Sequence, residues 1–152
     1  MSISEIINYV RIDDKVGTAG QPTREQFTAV RDAGYQAVVN LLPSVQDNAL
    51  KGEEDVVRSL GMDYHYIPVI WTAPKREDFS AFCMVMERLA GKKVFVHCAM
   101  NMRVTAFFAI YAMKHLNWPA AQADALIERI WKANPTSQMP DVWRAFIDAI
   151  RR

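Results

Sequence analysis

A chain of 152 residues, 51% hydrophobic and 23% charged, has the balance of one globular domain spanning residues 1–152 with enough apolar material for its own core. Its net charge of +1 excludes the broad positive footprint of a nucleic-acid binder, and no apolar run approaches the ~20 residues that cross a bilayer. The opening residues lack a basic segment followed by an apolar one, and two cysteines make no disulfide framework, so a reduced, cytoplasmic setting is expected, with an upstream export signal as the alternative.

The stretch YVRIDDKVGTAG (9–20) predicts two short strands around a turn at Asp13-Asp14. TREQFTAVRDAG (23–34) predicts a helix, with Thr23 and Gln26 spaced as a capping box and Gly34 as the stop. QAVVNLL (36–42) is a short continuous apolar run, as expected of a strand covered on both faces. A polar loop leads to a helix near 53–60, and DYHYIPVI (63–70) is the next strand. In REDFSAFCMVMERLA (76–90), Phe79, Phe82, Cys83, Met86 and Leu89 recur with helical spacing and form one face. KVFVH (93–97) is the last strand. RVTAFFAIYAMKH (103–115) is apolar nearly all round, which predicts a buried helix. Further helices follow, with Pro119 at a helix start and Asp141 opening the last one. Strands alternating with helices predict an α/β fold with a central, largely parallel sheet flanked by helices. Sites in such sheets form beyond the carboxyl ends of strands. Cys98 lies at such an end.

Chemistry concentrates in VFVHCAMNMRVTAF (94–107). A helix N-terminus presents unpaired N–H groups and partial positive charge, so it stabilises an anion. The same field favours a thiolate, the nucleophilic form of cysteine. Arg103 adds a fixed charge whose fork fits two oxygens of a tetrahedral oxyanion. Thiolate, amides of Ala99, Met100, Asn101, Met102 and Arg103, and the guanidinium together describe covalent catalysis at phosphorus. The plainer alternatives are a Cys98 that is a small buried hydrophobe and an Arg103 that serves a surface ion pair. An arginine at the head of an apolar helix, however, needs an anionic partner. His97 is expected to hold loop backbone through a ring nitrogen, and Cys83 to sit in the core. His65 and His115 lack ligand spacing, so no metal site is expected, and no organic cofactor is implied. Met100 and Met102 flank the site either as gap fillers or as flexible apolar surface for a ring or a partner. The tryptophans are assigned to packing, except that Trp71 lies on the loop expected to cover the pocket.

At these residues the chain resembles the protein tyrosine and dual-specificity phosphatase superfamily, and more closely a small bacterial phosphatase-like family of about this length. The likeness runs through RIDDKVGTAGQPTREQF, VVNLLP, YIPV and VFVHCAMNMRVTAFF. It implies a cysteine-phosphatase-like fold, with Cys98 as nucleophile and Arg103 as oxyanion ligand. Thr105 stands where the superfamily keeps the hydroxyl that assists the thiolate as leaving group. The substrate implied is a phosphorylated protein or a small phosphate ester.

Two departures stand out. The superfamily motif is His-Cys, five variable residues, Arg, then Ser or Thr, but here only Ala99 to Met102 separate Cys98 from Arg103. Aligned without a gap, Val104 takes the arginine place and Asn101 a place usually held by Gly; Asn is the next residue most tolerant of positive φ. One step along a helix turns a side chain by about 100°, so either the loop is tightened or the arginine points elsewhere. The resemblance to the small bacterial family implies a shared short spacing. The superfamily also keeps an Asp after IPV to protonate the leaving oxygen, where this chain has Ile70 and Trp71. The first acids, Glu77 and Asp78, suit the first turn of a helix; Asp78 is the candidate acid. A four-residue loop is also the length found in rhodanese-type sulfurtransferases, so sulfur transfer through a Cys98 persulfide is one alternative. A binding module that has lost the chemistry is another.

Overall fold

The computed structural model describes residues 2–132 and 138–152. A short 3-10 turn at Ile3–Glu5 precedes strand β1 (Val10–Arg11), which pairs antiparallel with β2 (Val16–Ala19) around the expected turn. The turn is fixed by Asp13, whose Oδ1 accepts from the amides of Lys15 and Val16. Helix α1 (Arg24–Asp32) carries the expected capping box, with Gln26 N donating to Thr23 Oγ1 (3.1 Å) and Thr23 N to Gln26 Oε1 (2.9 Å). It stops before Gly34, at φ +97°.

Strand β3 (Ala37–Asn40), helix α2 (Glu53–Ser59), strand β4 (Asp63–Tyr66), helix α3 (Arg76–Arg88) and strand β5 (Val94–His97) follow, then helices α4 (Met102–His115), α5 (Ala120–Trp131) and α6 (Asp141–Arg151). The sheet order is β1-β2-β5-β3-β4, parallel except at β1. Strand β4 is shorter than the run 63–70 predicts, because Pro68 has no N–H to continue the ladder. The chain still follows β3 beyond it, with Val69 N donating to Leu41 O (3.0 Å). That keeps residues 69–71 beside the end of β5.

Alternating strand residues serve two cores. Val38 and Phe95 pack with α1 and α2 through Phe27, Val30, Val56 and Val57. Ala37, Val39, Val94 and Val96 face the opposite layer, where Phe82, Phe107, Ile110 and Trp143 are buried. At the centre lies α4, buried on every side from Met102 to Ala112, as its lack of a polar face predicts. Each large side chain buried there contributes ~1.5–3 kcal/mol of transfer free energy. That packing anchors the N-terminus of α4 directly after β5. Among the described residues no helix is long and apolar enough to cross a membrane.

Candidate active site

Cys98 follows β5 and is fully buried by its neighbours. Four residues later α4 has begun, and the turn between depends on Asn101 at φ +69°. Its side chain is tied down as Nδ2 donates to Asn8 O (2.9 Å) and Thr18 Oγ1 (3.0 Å). Three loop carbonyls turn to partners outside the cavity. Cys98 O meets His97 Nδ1 at 3.1 Å, Ala99 O accepts from Gln21 N (2.9 Å), and Met100 O accepts from Asn8 Nδ2 (3.0 Å). Because a trans peptide sets C=O and the following N–H on opposite sides, the amides of Ala99 and Met100 face inward. Close contact between the loop and the β2 end requires Gly20, where a Cβ would lie 2.4 Å from Ala99 O.

Arg103 also faces inward. Its guanidinium is buried, with Nε donating to Val69 O (2.9 Å) and an Nη to Gln46 Oε1 (3.0 Å), and its charged carbon lies 5.1 Å from the centre of the Trp71 ring. Burial lowers its pKa, and the adjacent Cys98 sulfur opposes that shift. Trp71 is held in turn by Trp131 (5.6 Å, stacked) and Trp143 (5.4 Å), whose indole N–H donates to Trp71 O (2.8 Å).

The cavity over the sulfur has a volume of about 240 Å³ and is lined by Gln46, Asn48, Trp71, Cys98, Ala99, Met100, Met102 and Arg103. It is smaller than the ~300–1,000 Å³ of sites for drug-sized molecules, so it fits one small group. A wider cleft of about 540 Å³ adjoins it, sharing Asn48, Ala99 and Met100, and runs over Ile7, Pro22, Arg24 and Leu50. Chemistry, not size, singles out the smaller cavity.

The expected residues do not all converge. Cys98, Ala99, Met100, Met102 and Arg103 share the cavity, whereas Asn101 shapes the loop from behind. Thr105 directs its one hydroxyl proton to Asn101 O (2.9 Å) and Met102 O (3.2 Å), and among the described residues no hydrogen bond joins it to Cys98. Asp78 caps α3, accepting from Lys75 N (3.2 Å) outside the cavity lining; burial raises its pKa and that hydrogen bond opposes the rise. Among the described residues no carboxylate lines the cavity. Cys83 is half-buried against the core with its thiol pushed up to about 11 by burial. No metal-binding cluster occurs among the described residues.

Sequence reasoning missed Glu53. It is 5% exposed, and its Oε2 lies 2.7 Å from His97 Nε2, directly behind the loop. Burial pushes its carboxyl up, but the His97 ring, with hydrogen bonds from His97, Gln21 and Tyr64, more than offsets this and holds it below the usual range. A signal existed in the sequence: Glu53, Val56 and Val57 share one helical face, and that face is buried.

A family model described as "DSP-PTPase phosphatase fused to NAD+ Kinase" matches residues 10–140. A beta-lactamase hydrolase-like protein of Xylella fastidiosa (strain Temecula1) is 29% identical over 104 residues, 66% of this chain. That match spans about a quarter (24%) of the relative's own length. Among solved structures, a candidate phosphatase (DUF442) of Shewanella putrefaciens CN-32 superposes with a TM-score of 0.85 at 31% identity, covering 97% of this chain and 93% of its own. Tk-PTP shares the fold at 20% identity and a TM-score of 0.76, covering 94% and 95%. The match over residues 10–140, with the Shewanella likeness over nearly the whole of both chains, places this chain in the DSP-PTPase family, within the protein tyrosine and dual-specificity phosphatase superfamily.

Proposed function

We propose that this domain is a cysteine-dependent phosphatase acting on phosphate monoesters whose leaving group departs without a proton, such as aryl phosphates and phosphotyrosine. The observation that carries the reading is the Cys98 sulfur in a small cavity between inward-facing amides and the Arg103 fork. The Cys98 thiolate attacks phosphorus, the P–O ester bond breaks, and the phenolate leaves to take its proton from water. Water then attacks the cysteinyl-phosphate, releasing inorganic phosphate and restoring the thiolate, with the proton passing to solvent. The amides and Arg103 meet the charge that develops on the equatorial oxygens. The lack of a carboxylate in the lining, among the described residues, supports this substrate class, since a general acid contributes typically ~10²–10⁴ in rate when the leaving group needs one.

Turnover of an aryl phosphate across pH 5 to 8, by wild type and Cys98→Ser, tests this. Wild-type activity, abolished in Cys98→Ser and far weaker on phosphoserine, is expected. Equal rates on aryl phosphate and phosphoserine refute the leaving-group argument, and Cys98-independent turnover refutes the nucleophile. The four-residue loop and acid-free lining favour a second reading, sulfur transfer through a Cys98 persulfide. The mark of that chemistry is a mass increase of one sulfur after thiosulfate treatment without aryl phosphatase activity.

A further inference from the structure

Behind the nucleophile loop lies a chain of buried and half-buried polar groups drawn from five parts of the fold. The His97 ring, fully buried at the end of β5, meets Glu53 Oε2 at 2.7 Å through Nε2 and Cys98 O at 3.1 Å through Nδ1. Glu53 Oε1 accepts from Gln21 Nε2 (2.7 Å), and Oε2 also accepts from the Tyr64 hydroxyl (3.0 Å). Tyr64 in turn accepts from Asn40 Nδ2 (3.0 Å). Around the ring, α1 presents the edge of Phe27 at 5.9 Å and β5 its own Phe95. Among the described residues, the titratable group hydrogen-bonded to the pair is Tyr64, which burial keeps neutral.

A carbonyl can only accept, and a carboxylate held ionised can only accept. Both ring nitrogens therefore donate. We infer that Glu53 is a positioning residue: its carboxylate holds His97 with a proton on each nitrogen, and the ring fixes the Cys98 carbonyl so that the Ala99 amide points into the cavity. This deepens the phosphatase reading by assigning the orientation of the first cradle amide to an acid 44 residues from the ring it holds. A structural role alone is a poor explanation. A buried ion pair is often no more stabilising than apolar residues of the same volume, and Val56 and Val57 already pack this face. The pair sits instead where one peptide plane must be oriented. It touches no substrate.

The test joins nuclear magnetic resonance to kinetics. In the wild type at pH 7, the His97 ring is expected to show two slowly exchanging N–H protons. Glu53→Gln is expected to lose one of them, shift the Ala99 amide resonance and lower kcat on an aryl phosphate about 10- to 100-fold, the scale of loss seen when the partner that orients a metal-bound imidazole is removed. KM is expected to stay within about twofold, since Arg103 still binds the phosphoryl group. A single ring proton in the wild type overturns the inference without need of a variant, as does a folded Glu53→Gln with unchanged kcat. If the wild type turns over no aryl phosphate, the phosphatase reading falls, while the proton count and the Ala99 shift still decide the role of Glu53.

Discussion

Gly20→Ala probes how closely the Cys98 loop is seated. The added Cβ would meet Ala99 O at 2.4 Å and Ile7 Cγ2 at 3.0 Å, and ordinary contact begins at 3.4 Å. The backbone carbonyl must therefore recede by about 1 Å, which also strains its hydrogen bond from Gln21 N (2.9 Å). Overpacking of this kind costs ~1–3 kcal/mol, offset by ~0.4–1 kcal/mol from the stiffer unfolded chain. The net loss of stability is therefore up to about 2.6 kcal/mol, and a 1 Å displacement at a reacting site costs ~10²-fold in rate. The assay is kcat on an aryl phosphate beside the urea midpoint, with Gly91→Ala as control. Gly91 has φ +89° and nothing within 4 Å of its virtual Cβ, so that variant pays ~1–2 kcal/mol of backbone strain without reaching the site. Gly20→Ala is expected to lose about 100-fold in kcat, whereas Gly91→Ala, destabilised to a comparable degree, keeps wild-type kcat. A folded Gly20→Ala with wild-type kcat refutes the idea that this contact positions the Ala99 peptide.

Arg103→Lys is expected to lower kcat/KM on an aryl phosphate by ~10²–10³-fold, because an ammonium cannot bond Val69 O and Gln46 Oε1 as a fork while lying over Trp71; a loss under tenfold sinks the assigned geometry. Glu53 gives a stability prediction: its folded-state pKa is depressed, so its contribution is present above the unfolded glutamate value of about 4.3 and vanishes as pH falls through the lower folded value. Urea midpoints measured from pH 7 to 3 should show a decline below about pH 4.3 that is weaker in Glu53→Gln, and parallel curves contradict it.

Much of this fold is legible in local patterns, since the capping box at Thr23 and Gln26, the apolar run of β3 and the polar-free α4 each encode their own element. Cys98 was legible for the same reason, lying between an apolar strand and an apolar helix. What lay beyond reach depends on distant chain segments. Glu53 is the first of three acids in the helix start GEED, where each carboxylate looks equally suited to the helix dipole; only burial of the face shared with Val56 and Val57 separates it from Glu54 and Asp55. The hydroxyl of Thr105 satisfies two backbone carbonyls of its own helix, a local competition that alignment to a motif does not reveal.

The two departures from the superfamily pattern meet at one contact. Starting α4 directly after a left-handed Asn101 brings Arg103 round to the cavity even though it stands one place early. So placed, the guanidinium needs acceptors and a surface on the side away from sulfur. The segment after IPV supplies both, through Val69 O and the face of Trp71, and Trp131 and Trp143 keep that ring in place. A carboxylate at position 71 would pair with Arg103 and compete with the phosphoryl group of the proposed substrate for its fork. An indole holds the cation without competing. The residue that leaves the site without an acid on this loop is thus the one that lets a shortened loop keep its arginine, and a domain built this way should favour substrates whose leaving groups need no proton.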